Sequence, residues 1–289
     1  MSNKDLANEF SSKFGASRLK ARTRKRSASA ALYQGAKPGL MGKRGFLLGG
    51  GATVLAFAGF AQMVNSNKPE VGERVPRKLR VVLIDSSDRN SAVQDRLITR
   101  YVETEAVADL KEGDRLILLG LTADPEEPLE ERFNRVSPPR AVDKSAWEAD
   151  QNQLEADWQR LFLAEYVREA RSLRSVLEKS QTPFLEAMNQ IASILHAYEA
   201  EQKEVLIVSD ALQHINQGLS AYTTSSNRSV VEMPADLTGF YQPDFGGSKI
   251  TLLHIMRAKD RRRQGQAHRL WIDSILAEKN ASLEYVALS

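Results

Sequence analysis

The stretch Leu79-Arg80-Val81-Val82-Leu83-Ile84, closed by Asp85-Ser86-Ser87-Asp88, decides how the rest of the chain is read. A short, apolar, β-branched run broken by one charge is what a strand looks like when both faces of its sheet are covered, as in parallel sheets. The polar burst after it marks a loop at the strand's carboxyl end. Working outward, Val93, Leu97, Ile98, Tyr101 and Val102 fall at helical spacing over 91–108. Lys111-Glu112-Gly113-Asp114 is a turn, and Arg115 to Leu121 is a second buried strand. Strand, helix and strand at this spacing make a parallel βαβ unit.

The pattern continues to the end of the chain. The proline- and acid-rich stretch 122–142 reads as a loop with a short edge strand near Phe133 to Val136. Ser145 to Lys179 holds neither Pro nor Gly, and Trp147, Leu154, Trp158, Leu161, Phe162, Leu173, Val176 and Leu177 lie on one helical stripe. Thr182-Pro183 predicts a further helix, with Thr182 as N-cap and Pro183 in the first position, running to about Glu201. Glu204 to Val208 is a third strand ending in Ser209-Asp210, and 218–248 reads as surface loop. Lys249 to Met256 is a fourth strand, 260–279 a helix with Leu270, Trp271, Ile275 and Leu276 inward, and Ser282 to Leu288 a last strand. Such alternation predicts an α/β domain over 79–289, an open, mostly parallel, Rossmann-like sheet with helices on both faces and a helical insertion near 145–179.

Ahead of this body the chemistry changes. Residues 1–65 contain eleven Lys or Arg and two acids, so a head of +9 precedes a body of −6 within a net charge of +3. The basic balance belongs to the head, and the body gives no reason to expect nucleic acid as a partner. Residues 45–64 carry no charge and match the length that spans a bilayer. The positive-inside rule then keeps 1–44, a disordered basic head, in the cytoplasm. Residues 65–78 become a linker, and the main domain is periplasmic or extracellular, held at the inner membrane by a single pass. Lys43-Arg44-Gly45-Phe46-Leu47-Leu48 also resembles a twin-arginine export signal with lysine in the first position, which would be cleaved. Retained anchor and cleaved signal both export the domain.

Ligands of open parallel sheets sit beyond the carboxyl ends of the strands. Asp85 and Ser87 follow the first strand, Asp210 follows the third of the buried runs, and Thr182 precedes the helix leading into it. Carboxylate and hydroxyl oxygens from three loops suit a hard divalent cation; the same residues also serve as ordinary helix caps. With Asp85-Ser86-Ser87, Thr182-Pro183 and Ile207-Val208-Ser209-Asp210 in this order, the body resembles a von Willebrand factor type A domain. That family binds a divalent cation through Asp-x-Ser-x-Ser after its first strand, a later Thr, and an Asp after its fourth strand. The resemblance implies Mg2+ or Mn2+ at Asp85, Ser87, Thr182 and Asp210, and a protein partner that completes the metal shell. Arg89 stands where the motif has its last Ser. Its guanidinium would repel a metal and could pair with Asp85 or Asp88 instead, while Asp88, Asn90 or Ser91 could supply the missing oxygen.

Other chemistry is thin. There is no cysteine, and the four histidines show no paired ligand spacing; His254 sits in a buried strand. No nucleophile elbow, phosphate loop or dinucleotide fingerprint occurs. A hydrolase built on Asp85 would lack a recognisable base, nucleophile and oxyanion donor. The sequence therefore points to a membrane-anchored, non-enzymatic interaction module. The alternative is a metal-independent structural component of an envelope or secretion assembly, joined through the 145–179 helices.

Overall fold

The computed structural model describes residues 75–145, 149–175, 180–215, 243–277 and 281–289. Six strands form one sheet: β1 (Lys78–Ile84), β2 (Arg115–Gly120), β3 (Glu130–Val136), β4 (Gln202–Ser209), β5 (Lys249–Ile255) and β6 (Ser282–Leu288). Their spatial order is β3-β2-β1-β4-β5-β6. All neighbours are parallel except β3, which runs antiparallel to β2 at the edge. The sheet is the open, mostly parallel one that the sequence predicts, and the short edge strand is longer than expected. Its polar alternation, Glu130-Glu131-Arg132-Phe133-Asn134-Arg135-Val136, disguises it: only Phe133 turns fully into the core.

Each face has its own core because side chains alternate along a strand. Leu79, Val81 and Leu83 of β1 pack under helices α4 (Phe184–Ala197) and α5 (Gln266–Leu276). Val82 and Ile84 face the other way, under α1 (Ala92–Thr99), α2 (Gln151–Trp158) and α3 (Ala164–Arg174). α1 continues through a wide π-type turn (Arg100–Glu105) into Ala106–Ala108, and a second such turn (Gln159–Leu163) joins α2 to α3. The first turn frees the carbonyl of Val102, and the buried hydroxyl of Tyr166 donates to it at 3.0 Å.

Several sequence expectations are corrected here. Trp158, Phe162 and Leu173 are buried on the 145–179 stripe, but Leu161 is 51% exposed, because the π-type turn rotates it out of the face. Leu270 is 61% exposed, and Ile272 takes the inward position assigned to it. Pro183, not Thr182, occupies the N-cap of α4. Thr182 is held in an extended bridge, its N–H donating to the carbonyl of His214 (2.7 Å) and its carbonyl accepting from His214 N–H (2.9 Å). The free N–H of Leu185 is instead capped by Gln213 Oε1 at 2.9 Å. Among the described residues no helix is long and apolar enough to cross a membrane. The head 1–44, the 45–64 segment and most of the 218–248 loop lie outside the described residues.

Candidate functional site

In the order β3-β2-β1-β4-β5-β6, chain order reverses between β1 and β4, and loops diverge there to leave a crevice. Ile84 pairs with Val208, so Asp85 and Ser209 emerge side by side with Asp210 one residue further. Asp85, Ser87, Thr182 and Asp210 are all buried. Asp85 Oδ1 accepts from the N–H of Ser87 (2.9 Å) and Oδ2 from the hydroxyl of Ser209 (2.7 Å). Asp210 Oδ1 accepts from Leu212 N–H at 3.0 Å. Thr182 belongs to the neighbouring segment through its bridge to His214, four residues beyond Asp210.

The backbone after Asp210 is held against its preference. Ala211 has φ 54, a left-handed conformation that costs a residue with a Cβ roughly 1–2 kcal/mol. Its N–H donates to Ser209 Oγ (2.9 Å), and its carbonyl lies 3.0 Å from His268 Nε2. The carbonyl of Asp210 accepts from His254 Nε2 (3.0 Å) and Gln264 Nε2 (3.2 Å). A carbonyl only accepts, so His254 carries its proton on Nε2, and its Nδ1 receives the hydroxyl of Tyr285. Burial, reinforced by His268, pushes His254 down to about 4, so the ring is neutral at ordinary pH. Such over-determined strain gathers at functional loops.

Electrostatically the pair is short of positive charge. Burial and then the Asp85 carboxylate push Asp210 up to about 7, although Leu212 N–H and Arg257 work the other way. Arg257, on the loop after β5, donates from Nε to Asp210 Oδ2 at 3.3 Å. The sequence pointed to Arg89 as the cation of this crevice and not to Arg257 at Asp210. Asp88 is bound by Lys259 (2.8 Å), and Ser91 caps α1 by accepting from Gln94 N–H (3.2 Å). As arranged, these residues do not fit Mg2+ or Mn2+. The Arg257 guanidinium lies 3.3 Å from Asp210 Oδ2, so a divalent ion bound to that oxygen would meet a charge of its own sign. No cluster of three or more His, Cys, Asp or Glu suited to a metal occurs among the described residues.

Beside Asp85 a cavity of about 320 Å3 opens, lined by Ser86, Asp95, Arg174 and the 88–90 loop among others. Two of its buried donors, Ser86 Oγ and Arg174 Nε, have no hydrogen-bond partner among the described residues. Sequence reasoning missed Arg257, Gln213, Gln264 and Arg174. Arg257 alone left a signal, as the charged residue just past an apolar strand.

No family model and no curated protein matches this chain. Solved structures do resemble it. A von Willebrand factor type A protein from Catenulispora acidiphila is 16% identical with TM-score 0.34, over 73% of this chain and 39% of that one. The human COPII-coat protein Sec24c is 9% identical with TM-score 0.41, over 77% and 31%. An aerotolerance-related membrane protein from Bacteroides fragilis is 13% identical with TM-score 0.33, over 73% and 91%. The chain thus spans about two-fifths of the first of these. The strand order, and an Asp after β1 beside an Asp after β4, agree with the resemblance read from the sequence. The fold resembles that of a von Willebrand factor type A domain. The crevice lies where ligands of open parallel sheets are received.

Proposed function

We propose that the chain is a membrane-anchored, extracytoplasmic protein-interaction module without catalytic activity, whose partner docks at the β1–β4 crevice. The observation that carries this reading is the crevice itself. Buried polar groups converge at the switch point, and two buried donors, Ser86 Oγ and Arg174 Nε, stand unpaired beside an open cavity. An unpaired buried donor costs about 1–3 kcal/mol, a penalty that a partner's acceptor would relieve. Placement outside the cytoplasm follows from the uncharged 45–64 segment behind a +9 head. Mg2+ or Mn2+ at Asp85, Ser87, Thr182 and Asp210 would require Arg257 to swing out first.

A second reading, a structural component docking through the α2–α3 helices, is favoured by the exposed Leu161. Photo-crosslinking in intact cells separates the two. A benzophenone side chain at exposed Arg89, on the crevice rim, should give one discrete protein adduct in the membrane fraction, and one at Leu161 none. The reverse pattern selects the second reading. An adduct from neither site, or a reporter fused after Ser289 that is active only in the cytosol, refutes the proposal.

A further inference from the structure

Arg257 is 6% exposed, and all of its guanidinium's partners are oxygens. Nε reaches Asp210 Oδ2 (3.3 Å); Nη1 reaches the carbonyl of Arg89 (2.6 Å) and Asn90 Oδ1 (3.0 Å); Nη2 reaches the carbonyl of Asp88 (3.3 Å). Its own N–H donates to Gln264 Oε1 at 2.7 Å, which fixes the start of the side chain. One residue from the β5 loop thus passes over the end of β4 and fastens it to the loop after β1.

A shell of one carboxylate, one amide oxygen and two carbonyls is the kind of all-oxygen environment that hard cations take. Here a planar guanidinium with five fixed donors fills it. A divalent ion entering beside Asp210 would meet a charge of its own sign at contact distance. It would also have to expel a side chain whose hydrogen bonds hold two loops together.

We propose that Arg257 is the resident cation of this crevice, so that the von Willebrand factor type A-like domain keeps its β1 and β4 loops assembled without a divalent metal. The loops are then in their joined arrangement at all times, whatever the local calcium, magnesium or manganese concentration. The proposal rests on the crevice geometry and not on partner binding, so either can fail without the other.

The test uses the full-length chain in detergent micelles, thermal melting in chelator or millimolar Mn2+, and Mn2+ binding by electron paramagnetic resonance. Wild type should melt at the same temperature in both conditions and leave the free Mn2+ signal unchanged. Arg257→Ser should melt lower in chelator, bind Mn2+, and recover by about 3 °C or more on binding it. Asp210→Ala on that background should abolish the recovery. Arg257→Lys, which keeps the charge, should stay indifferent to Mn2+. Wild type that binds Mn2+ and melts higher with it would overturn the proposal, as would a folded Arg257→Ser that neither melts lower nor binds. If Arg257→Ser does not fold, wild type and Arg257→Lys decide: a metal response in either overturns it.

Discussion

The two ends of β1 and β4 each gather buried charge, and they handle it in opposite ways. At the amino ends two cations meet two acids: Lys78 pairs with Asp109 and with Glu204 (3.0 Å), and Arg80 pairs with Asp109 (2.8 Å) and with Glu204. Burial alone would raise Asp109 and Glu204. Hydrogen bonds from Arg80 and Lys78 outweigh it and hold both below the usual carboxylate range. At the carboxyl ends Arg257 pairs with Asp210, and burial with the neighbouring Asp85 carboxylate lifts Asp210 to about 7. Burial separates them: Asp109 and Glu204 stay part-exposed and are held low by two cations, while Asp210 is buried beside a second carboxylate and is raised.

Unbalancing the balanced end should have the largest effect. Arg80→Met leaves Asp109 and Glu204 with Lys78 alone and removes the bond to the carbonyl of Ala106 (2.6 Å). We expect a loss of about 2 kcal/mol in urea unfolding, chiefly from leaving the buried Ala106 carbonyl without its donor. A loss near zero would mean that the two ends do not differ in this way.

An intermediate effect is expected from pH. A carboxyl group with a folded pKa above its unfolded one binds more protons folded, so its contribution to stability falls as pH rises from about 4 to about 7. His254, lowered to about 4, has the opposite slope between about 4 and 6.5 and masks this in wild type alone. The difference between Asp210→Asn and wild type removes the mask. The variant should gain in melting temperature relative to wild type between pH 4.5 and pH 7.5, and a constant difference would refute the unbalanced pair. The amino-end acids titrate the other way, their contribution being lost only as pH falls below about 4.

The smallest effect belongs to Lys259, whose side chain is 62% exposed where it meets Asp88. Lys259→Met should change stability by less than about 0.5 kcal/mol in the same urea assay, as solvated pairs do. A larger loss would make Lys259 a second resident cation.

How much of this was legible depends on how locally each feature is encoded. The buried strands announce themselves because parallel strands are apolar on both faces, and β1 shows it plainly. β3 extends beyond its sequence signal because an edge strand half in water looks like polar loop. Thr-Pro at 182–183 is a sound local cap signal, but a bridge to His214 thirty-two residues away overrides it. Asp85 and Asp210 were legible from their positions after strands. The role of Arg257 is not legible, because it depends on β5 lying two strands from β1, across β4, while its side chain reaches the loop after β1.

The placement of β1 has a mechanical consequence. The preceding chain joins β1 at Lys78, and the crevice begins at Asp85, just beyond its other end. Tension between that connection and anything gripped in the crevice runs along the strand. β1 is clamped on both sides by parallel neighbours, in register from Leu79 to Ile84 with β2 and from Lys78 to Ile84 with β4. A pull along that axis loads both ladders in shear, all rungs together, instead of peeling them one at a time. The strand that carries the crevice's first acid is thereby the one best placed to bear load.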